Sequence, residues 1–375
     1  MNPLRGGCWP SPTEELLLRA ALLKGDDAVA SWHEWKKRVG NEEVPYNSYR
    51  LFPQLYKNLK DLDVEASELK KLKEAYISIW YQNEHLFKQA FAVLRSFNDA
   101  DIPSMVLKGG ALAVFYYQDN GLRRMADLDL LVPRKRTAQA AHLLIQHGWT
   151  PQWLPSIKFD ERYLYARNSH PFRHSSGAEI DLHWHMLFGC RYPGADDDFW
   201  QGAIQKRMGE AATCILNPSD QLLHVCVHGT MSPKPAHLEW IADAAAVIRT
   251  SSNTIDYDRI VSQAKKHALV APVRDALNYI KGLLALPVPD KALQALQKTH
   301  VSNFDRIKFR ILARPRGALF YFIYYSEYSN RIGTKGLWER MTGFPSFLKL
   351  VWHLNSLREI PKVIFEGYKR KILKQ

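Results

Sequence analysis

Residues 102–132, IPSMVLKGGALAVFYYQDNGLRRMADLDLLV, constrain the fold more than any other part of the chain. The apolar run Ser104 to Leu107 breaks into Lys108-Gly109-Gly110, and a segment with helical spacing follows through Ala111, Leu112, Val114 and Phe115. A polar turn at Gln118 to Gly121 and the pair Arg123-Arg124 lead to a second apolar run that carries Asp127 and Asp129. Alternation along a strand puts side chains i and i+2 on one face. Asp127 and Asp129 are therefore expected to point together, with Leu128 and Leu130 turned to the core. Neighbouring carboxylates repel and need positive charge between them. A divalent metal is the usual source, and Mg²⁺ is commonly held by one or two carboxylates plus substrate phosphates.

Length and composition set the frame. A chain of 375 residues, 46% hydrophobic and 24% charged, has room for several cored units and the balance of a globular protein. No stretch approaches the roughly 18 consecutive apolar residues of a membrane span, and the first residues lack the apolar run of a secretory signal. Cys8, Cys190, Cys214 and Cys226 are far apart and lack metal-ligand spacing. Free thiols and a cytoplasmic location are the reading that follows. The charge is uneven: residues 301–375 carry 15 Lys or Arg against 5 acids, which leaves +3 of the total +13 for the rest. A basic segment of this kind fits an anionic partner.

Four segments can be read in order. Residues 1–100 are expected to be helical, with apolar stripes at Leu51, Leu55, Leu59 and Leu62 and a long run from Glu65 to Phe97 that places Tyr76, Trp80, Phe87, Phe91 and Leu94 in a core. Residues 101–216 change period. A short helix is expected over Thr137 to His147. Two strands, Tyr163 to Arg167 and Ala178 to His185, are expected to join through Ser175-Ser176-Gly177. Residues 217–300 return to helical spacing from Pro218, with Ser219 as the expected N-cap. Residues 301–375 are helical, basic and aromatic.

The chemistry lies in the second segment. Glycines at the start of a helix after a strand let the backbone approach a phosphate, and free N–H groups there favour an anion. Asp181 adds a third carboxylate on a later strand. Two metal ions held by such groups stabilise the attacking and leaving oxygens of an in-line displacement at phosphorus. Strand, Lys-Gly-Gly, helix, Arg-Arg, Asp-x-Asp and a later Asp form a far more specific signal together than apart. The order resembles the DNA polymerase β-like nucleotidyltransferase superfamily. More closely, it resembles the bacterial uncharacterised nucleotidyltransferase family. That likeness rests on Leu107-Lys-Gly-Gly-Ala-Leu, on Leu122-Arg-Arg-Met-Ala-Asp-Leu-Asp-Leu-Leu-Val and on Glu179-Ile-Asp-Leu-His-Trp. Asp220-Gln-Leu-Leu-His-Val-Cys-Val-His and Trp240-Ile-Ala-Asp extend it, so that it spans roughly residues 45–290. Sixteen residues separate Gly110 from Asp127, longer than the superfamily's usual spacing but shared by the closer family.

The resemblance implies an α+β chain, a nucleotidyltransferase core with a small mixed β-sheet flanked by helical N- and C-terminal segments. It implies a nucleoside triphosphate bound with Mg²⁺, or Mn²⁺, and NMP transfer with release of pyrophosphate. The acceptor would be a hydroxyl or phosphate of a small molecule or peptide. Gly109 and Gly110 would face the triphosphate; Asp127, Asp129 and Asp181 would hold the metals and carry catalysis. Lys108, Arg123 and Arg124 are expected as phosphate partners from their charge and place. His183 and His185 are expected to border the site, with Zn²⁺ ligation as the other reading. His224 and His228 are expected to serve helix packing, with Asp243 as a partner. A glycosyltransferase using the Asp-x-Asp pair on a nucleotide sugar is the second enzyme reading, although it needs neither Lys-Gly-Gly nor Asp181. A non-catalytic basic binding protein is the third.

Overall fold

The computed structural model describes residues 8–40, 46–153, 157–231, 238–314, 316–333 and 336–372. Seven strands form one mixed sheet: β1 (Met105–Val106), β2 (Leu128–Leu131), β3 (Trp149–Pro151), β4 (Ser169–His174), β5 (Glu179–His183), β6 (Ile204–Met208) and β7 (Ala211–Ile215). Their order is β3-β4-β5-β2-β1-β7-β6. β2 runs parallel to β5 and β1 parallel to β7, while the remaining neighbours are antiparallel. The expected class, a mixed sheet set among helices, is what forms.

The two sheet faces serve different cores. Val106, Leu128, Leu130, Ile180 and Leu182 bury against Phe87, Leu94 and Phe97 of helix Ala66–Asp99 and against Leu144 of helix Thr137–Gln146. Met105, Leu107 and Leu131 point the other way. They join a core built from helices Pro218–Thr230, Glu239–Thr250 and Val270–Leu284 together with Leu17, Trp32 and Leu55 of the first helices. By alternation, Asp129, Asp181 and His183 lie on this second face, between the sheet and the later helices. The helices Asn303–Leu312, Ala318–Arg331 and Leu337–Val351 build a third core around Phe320, Tyr324, Tyr325 and Phe347. Among the described residues no helix is long and apolar enough to cross a membrane.

Local chemistry moved several elements from their expected places. Tyr163 to Arg167 is not a strand: Asp160 caps helix Glu161–Ala166 by accepting from the Tyr163 amide at 2.9 Å. The hairpin strand is β4 instead, joined to β5 through a turn in which Gly177 takes φ 89°. Asn217, not Ser219, caps the helix at Pro218, accepting from the Asp220 amide at 3.0 Å. The Ser219 hydroxyl receives the Asp256 amide at 2.7 Å. Trp80 is 44% exposed rather than part of the core. The hairpin β6–β7 has no apolar signature: Ile204 to Arg207 form an exposed edge, where Lys206 and Arg207 discourage pairing with another chain.

The glycine pair is demanded by packing. A Cβ on Gly109 would stand 2.7 Å from Met125 Cγ, and one on Gly110 would collide with Leu128 Cδ1 and stand 2.8 Å from Val106 Cγ1. The helix can sit against β1 and β2 only with bare backbone at this point. Gly110→Ala should therefore cost about 1–3 kcal/mol through overpacking, read as a lowered midpoint in urea or thermal unfolding.

Candidate active site

Parallel pairing of β2 with β5 sets Asp129 directly opposite Asp181. The Leu107 amide donates to the Asp129 carbonyl at 3.0 Å, which brings the end of β1 alongside the carboxylates. The next residue, Lys108, takes φ 43°, a left-handed value that non-glycine residues seldom adopt. The turn swings its side chain back onto Asp129, and Nζ forms an ion pair with Oδ1. His183, two residues beyond Asp181 on the same face, places Nε2 2.9 Å from Asp129 Oδ1 and 3.0 Å from Asp181 Oδ2. Its Nδ1 lies 3.3 Å from the His185 carbonyl. Donors are needed at both ring nitrogens, so the imidazolium fits this setting.

The electrostatics follow from this crowding. Burial by itself would lower the His183 pKa, but Asp181 and Asp129 outweigh it and raise the group to about 9. Burial likewise opposes ionisation of Asp129 and Asp181, yet Lys108 and His183 hold both carboxylates below their ordinary values. Asp127 fares differently. It lies in the bend before β2, and burial together with the charges of Asp129 and Asp181 raises it to about 7.

Ligand atoms of Asp129, Asp181 and His183 all lie within 4.8 Å of one another, and with His183 protonated the two carboxylates are the groups open to a metal ion. Asp181 Oδ1 is buried without a hydrogen-bond partner among the described residues. An orphaned carboxylate oxygen in a set of hard oxygen donors fits a divalent cation. Asp127 stands beside this cluster rather than within it, so the Asp-x-Asp pair is split between a strand and the bend that precedes it. Lys108 and His183 supply the positive charge that sequence reasoning assigned to a metal alone.

Other expected residues take other places. Arg123 was placed beside a phosphate; its Nε instead donates to Asp243 Oδ1 and Oδ2 at 2.9 and 3.0 Å, and its Nη1 to Glu239 Oε1 at 3.1 Å. Asp243 thus pairs with Arg123, and with the Tyr117 hydroxyl at 3.0 Å, rather than with His224 or His228. His185 turns away from the acidic cluster to Asp196, with Nδ1 2.6 Å from Oδ2. His224 is buried and His228 accessible, with rings 6.2 Å apart, and both feel the charges of Lys108 and Asp129. Burial pushes His224 down to about 3, so it is a neutral imidazole. Sequence reasoning missed the groups that shape the loop before Asp127. Asn83 donates to the carbonyls of Asn120 and Arg123 at 2.6 and 2.8 Å, and Tyr76 donates to Asp119 at 2.9 Å. A buried Asn within the apolar stripe of a long helix was the available signal.

Residues 46–285 match the family described as "Uncharacterised nucleotidyltransferase". The chain belongs to that family. No curated protein matches the chain. Among solved structures it is similar to an antigenic nucleotidyltransferase-like protein from Paracoccidioides brasiliensis, with 12% identity and a TM-score of 0.35, covering 59% of this chain and 97% of that one. The family match carries the functional argument; so loose a structural likeness adds nothing to it.

Two outcomes are expected. Arg123→Met should leave Asp243 buried without its cation and Glu239 with Arg50 alone, costing about 3–5 kcal/mol in denaturant unfolding of the metal-free protein. Asp127 binds a proton more tightly when folded, so its contribution to stability is complete below pH 3.8 and is lost as the pH rises through about 7. With a chelator present, Asp127→Asn should flatten this part of the stability–pH profile.

Proposed function

We propose that the chain is a metal-dependent nucleotidyltransferase of the DNA polymerase β-like kind. It moves an NMP from a nucleoside triphosphate to a hydroxyl or phosphate oxygen of a small-molecule or peptide acceptor. The observation that carries this reading is the register of Asp129 against Asp181 beside Lys108-Gly109-Gly110, with Asp181 Oδ1 buried and unpartnered. Asp127, Asp129 and Asp181 would hold Mg²⁺, or Mn²⁺, which supplies charge neutralisation at the reacting phosphate and the departing pyrophosphate.

The chain's own groups do the rest. First-turn amides of a helix lack intrahelical partners, and those of Gly109 and Gly110 are offered to the triphosphate. Lys108 and Arg124 bring charge to its β- and γ-phosphates, while Arg123 holds the loop that carries them. The acceptor oxygen attacks the α-phosphorus, the α–β bridging bond breaks, and pyrophosphate leaves with the bridging oxygen. Asp181 orients the acceptor and takes its proton. His183 keeps Asp129 and Asp181 ionised and aligned.

The test is binding and turnover in one preparation. Titration with a fluorescent NTP should show Mg²⁺- or Mn²⁺-dependent binding, and incubation with cell extract should release pyrophosphate. Asp129→Ala and Asp181→Asn should keep their circular dichroism and lose turnover by about a hundredfold or more. A wild-type protein that binds no NTP with either metal would sink the transferase reading. Preference for a UDP-sugar over NTPs in the same assay would move the assignment to a glycosyltransferase.

A further inference from the structure

We propose that the C-terminal helices bind the surface of an anionic membrane. These helices already have a core: Leu312, Phe320, Tyr324, Tyr325, Tyr328, Phe347, Leu348 and Val351 are buried together. Their exposed apolar side chains are therefore surplus to folding. Phe304 and Ile307 are 61% and 52% exposed, Leu319 and Phe322 56% and 63%, and Trp338 and Met341 75% and 63%. Each pair is spaced three residues apart, which puts its members side by side on one helix. Isolated exposed apolar residues are ordinary, but repeated pairs over consecutive helices mark a surface that meets something apolar.

The charge says what that something is. Arg306 and Arg310 on helix Asn303–Leu312, Arg314 and Arg316 just after it, and Arg358 and Lys362 after helix Leu337–Val351 are exposed, in a segment with 15 basic and 5 acidic residues. Of those acids, Glu327 is taken up by Lys308, Arg191 and Arg331. Apolar side chains set among cations fit a bilayer interface, where the rings and aliphatic chains enter the headgroup boundary and the cations meet anionic lipid. A nucleic acid would use the arginines and could stack on Phe322 or Trp338. It has no use for Ile307, Leu319 or Met341, which offer no flat face. No described helix is a membrane span, so attachment would lie along the surface.

Co-sedimentation of the full chain with vesicles tests this. Binding is expected to phosphatidylcholine vesicles containing phosphatidylglycerol and not to phosphatidylcholine alone, and added salt should weaken it. The double variant Phe322→Ser/Trp338→Ser should bind about tenfold more weakly or worse with an unchanged thermal midpoint. Arg310→Gln/Arg314→Gln should lose about tenfold or more. The proposal is overturned if wild type ignores anionic vesicles or if the variants bind as wild type does. It is also overturned if a single-stranded oligonucleotide competes the protein off the vesicles, or if sedimentation shows a stable dimer that Phe322→Ser/Trp338→Ser breaks.

Discussion

Repulsion between two carboxylates set opposite each other on parallel strands governs the centre of this protein. With ligand atoms within 4.8 Å, two unit charges oppose one another by roughly 3 kcal/mol at an effective dielectric of 20. That cost must be offset inside the fold. Lys108 and His183 do so, and the offset explains features that otherwise look uneconomical. The left-handed backbone at Lys108 is the geometry that turns its side chain back over Asp129. The buried His183 is charged because two carboxylates share one of its nitrogens. At Asp127, burial and the charges of Asp129 and Asp181 outweigh Lys108 and His183, and its affinity for a proton is raised.

The surrounding frame keeps this arrangement from relaxing. The loop between the Lys-Gly-Gly helix and β2 is held from the long helix by Asn83 and Tyr76, and from the later helices by Asp243 and Glu239 through Arg123. Glu239 also pairs with Arg50. Arg123 thus fastens a loop on the sheet to helix Glu239–Thr250, and Arg50 ties that helix to the N-terminal part of the chain. The glycine pair works in the same direction, since its missing side chains let the helix lie close enough for Lys108 to reach Asp129.

What could be read from the sequence was local or periodic. Lys-Gly-Gly, Asp-x-Asp and the alternation through Glu179, Asp181 and His183 are short patterns whose geometry follows from strand or helix spacing. The long helix and the helices Pro218–Thr230, Glu239–Thr250, Tyr257–Lys266 and Val270–Leu284 announced themselves by apolar stripes. Reading failed where one distant or capping interaction decided the outcome. Tyr163 to Arg167 has strand-like residues, but the Asp160 cap starts a helix there. Arg123 looked like a phosphate ligand because the acid that claims it lies 120 residues downstream. β6 was invisible because an exposed edge strand has no apolar face to display. In the C-terminal helices, composition does not say which side of a helix a ring occupies.

The core shared by the first helices and the helices after the sheet sets a schedule for the newborn chain. Tyr279 donates to Glu15 at 2.7 Å across 264 positions. At ribosomal rates of about 5–20 residues per second, the first helix waits roughly 10–50 seconds for that partner. The first helices pack on one another early, with Trp32 stacked on Trp35, but the acidic face of the sheet has no roof until residues beyond 218 emerge. The acidic cluster is thus enclosed only after the sheet that carries it is complete.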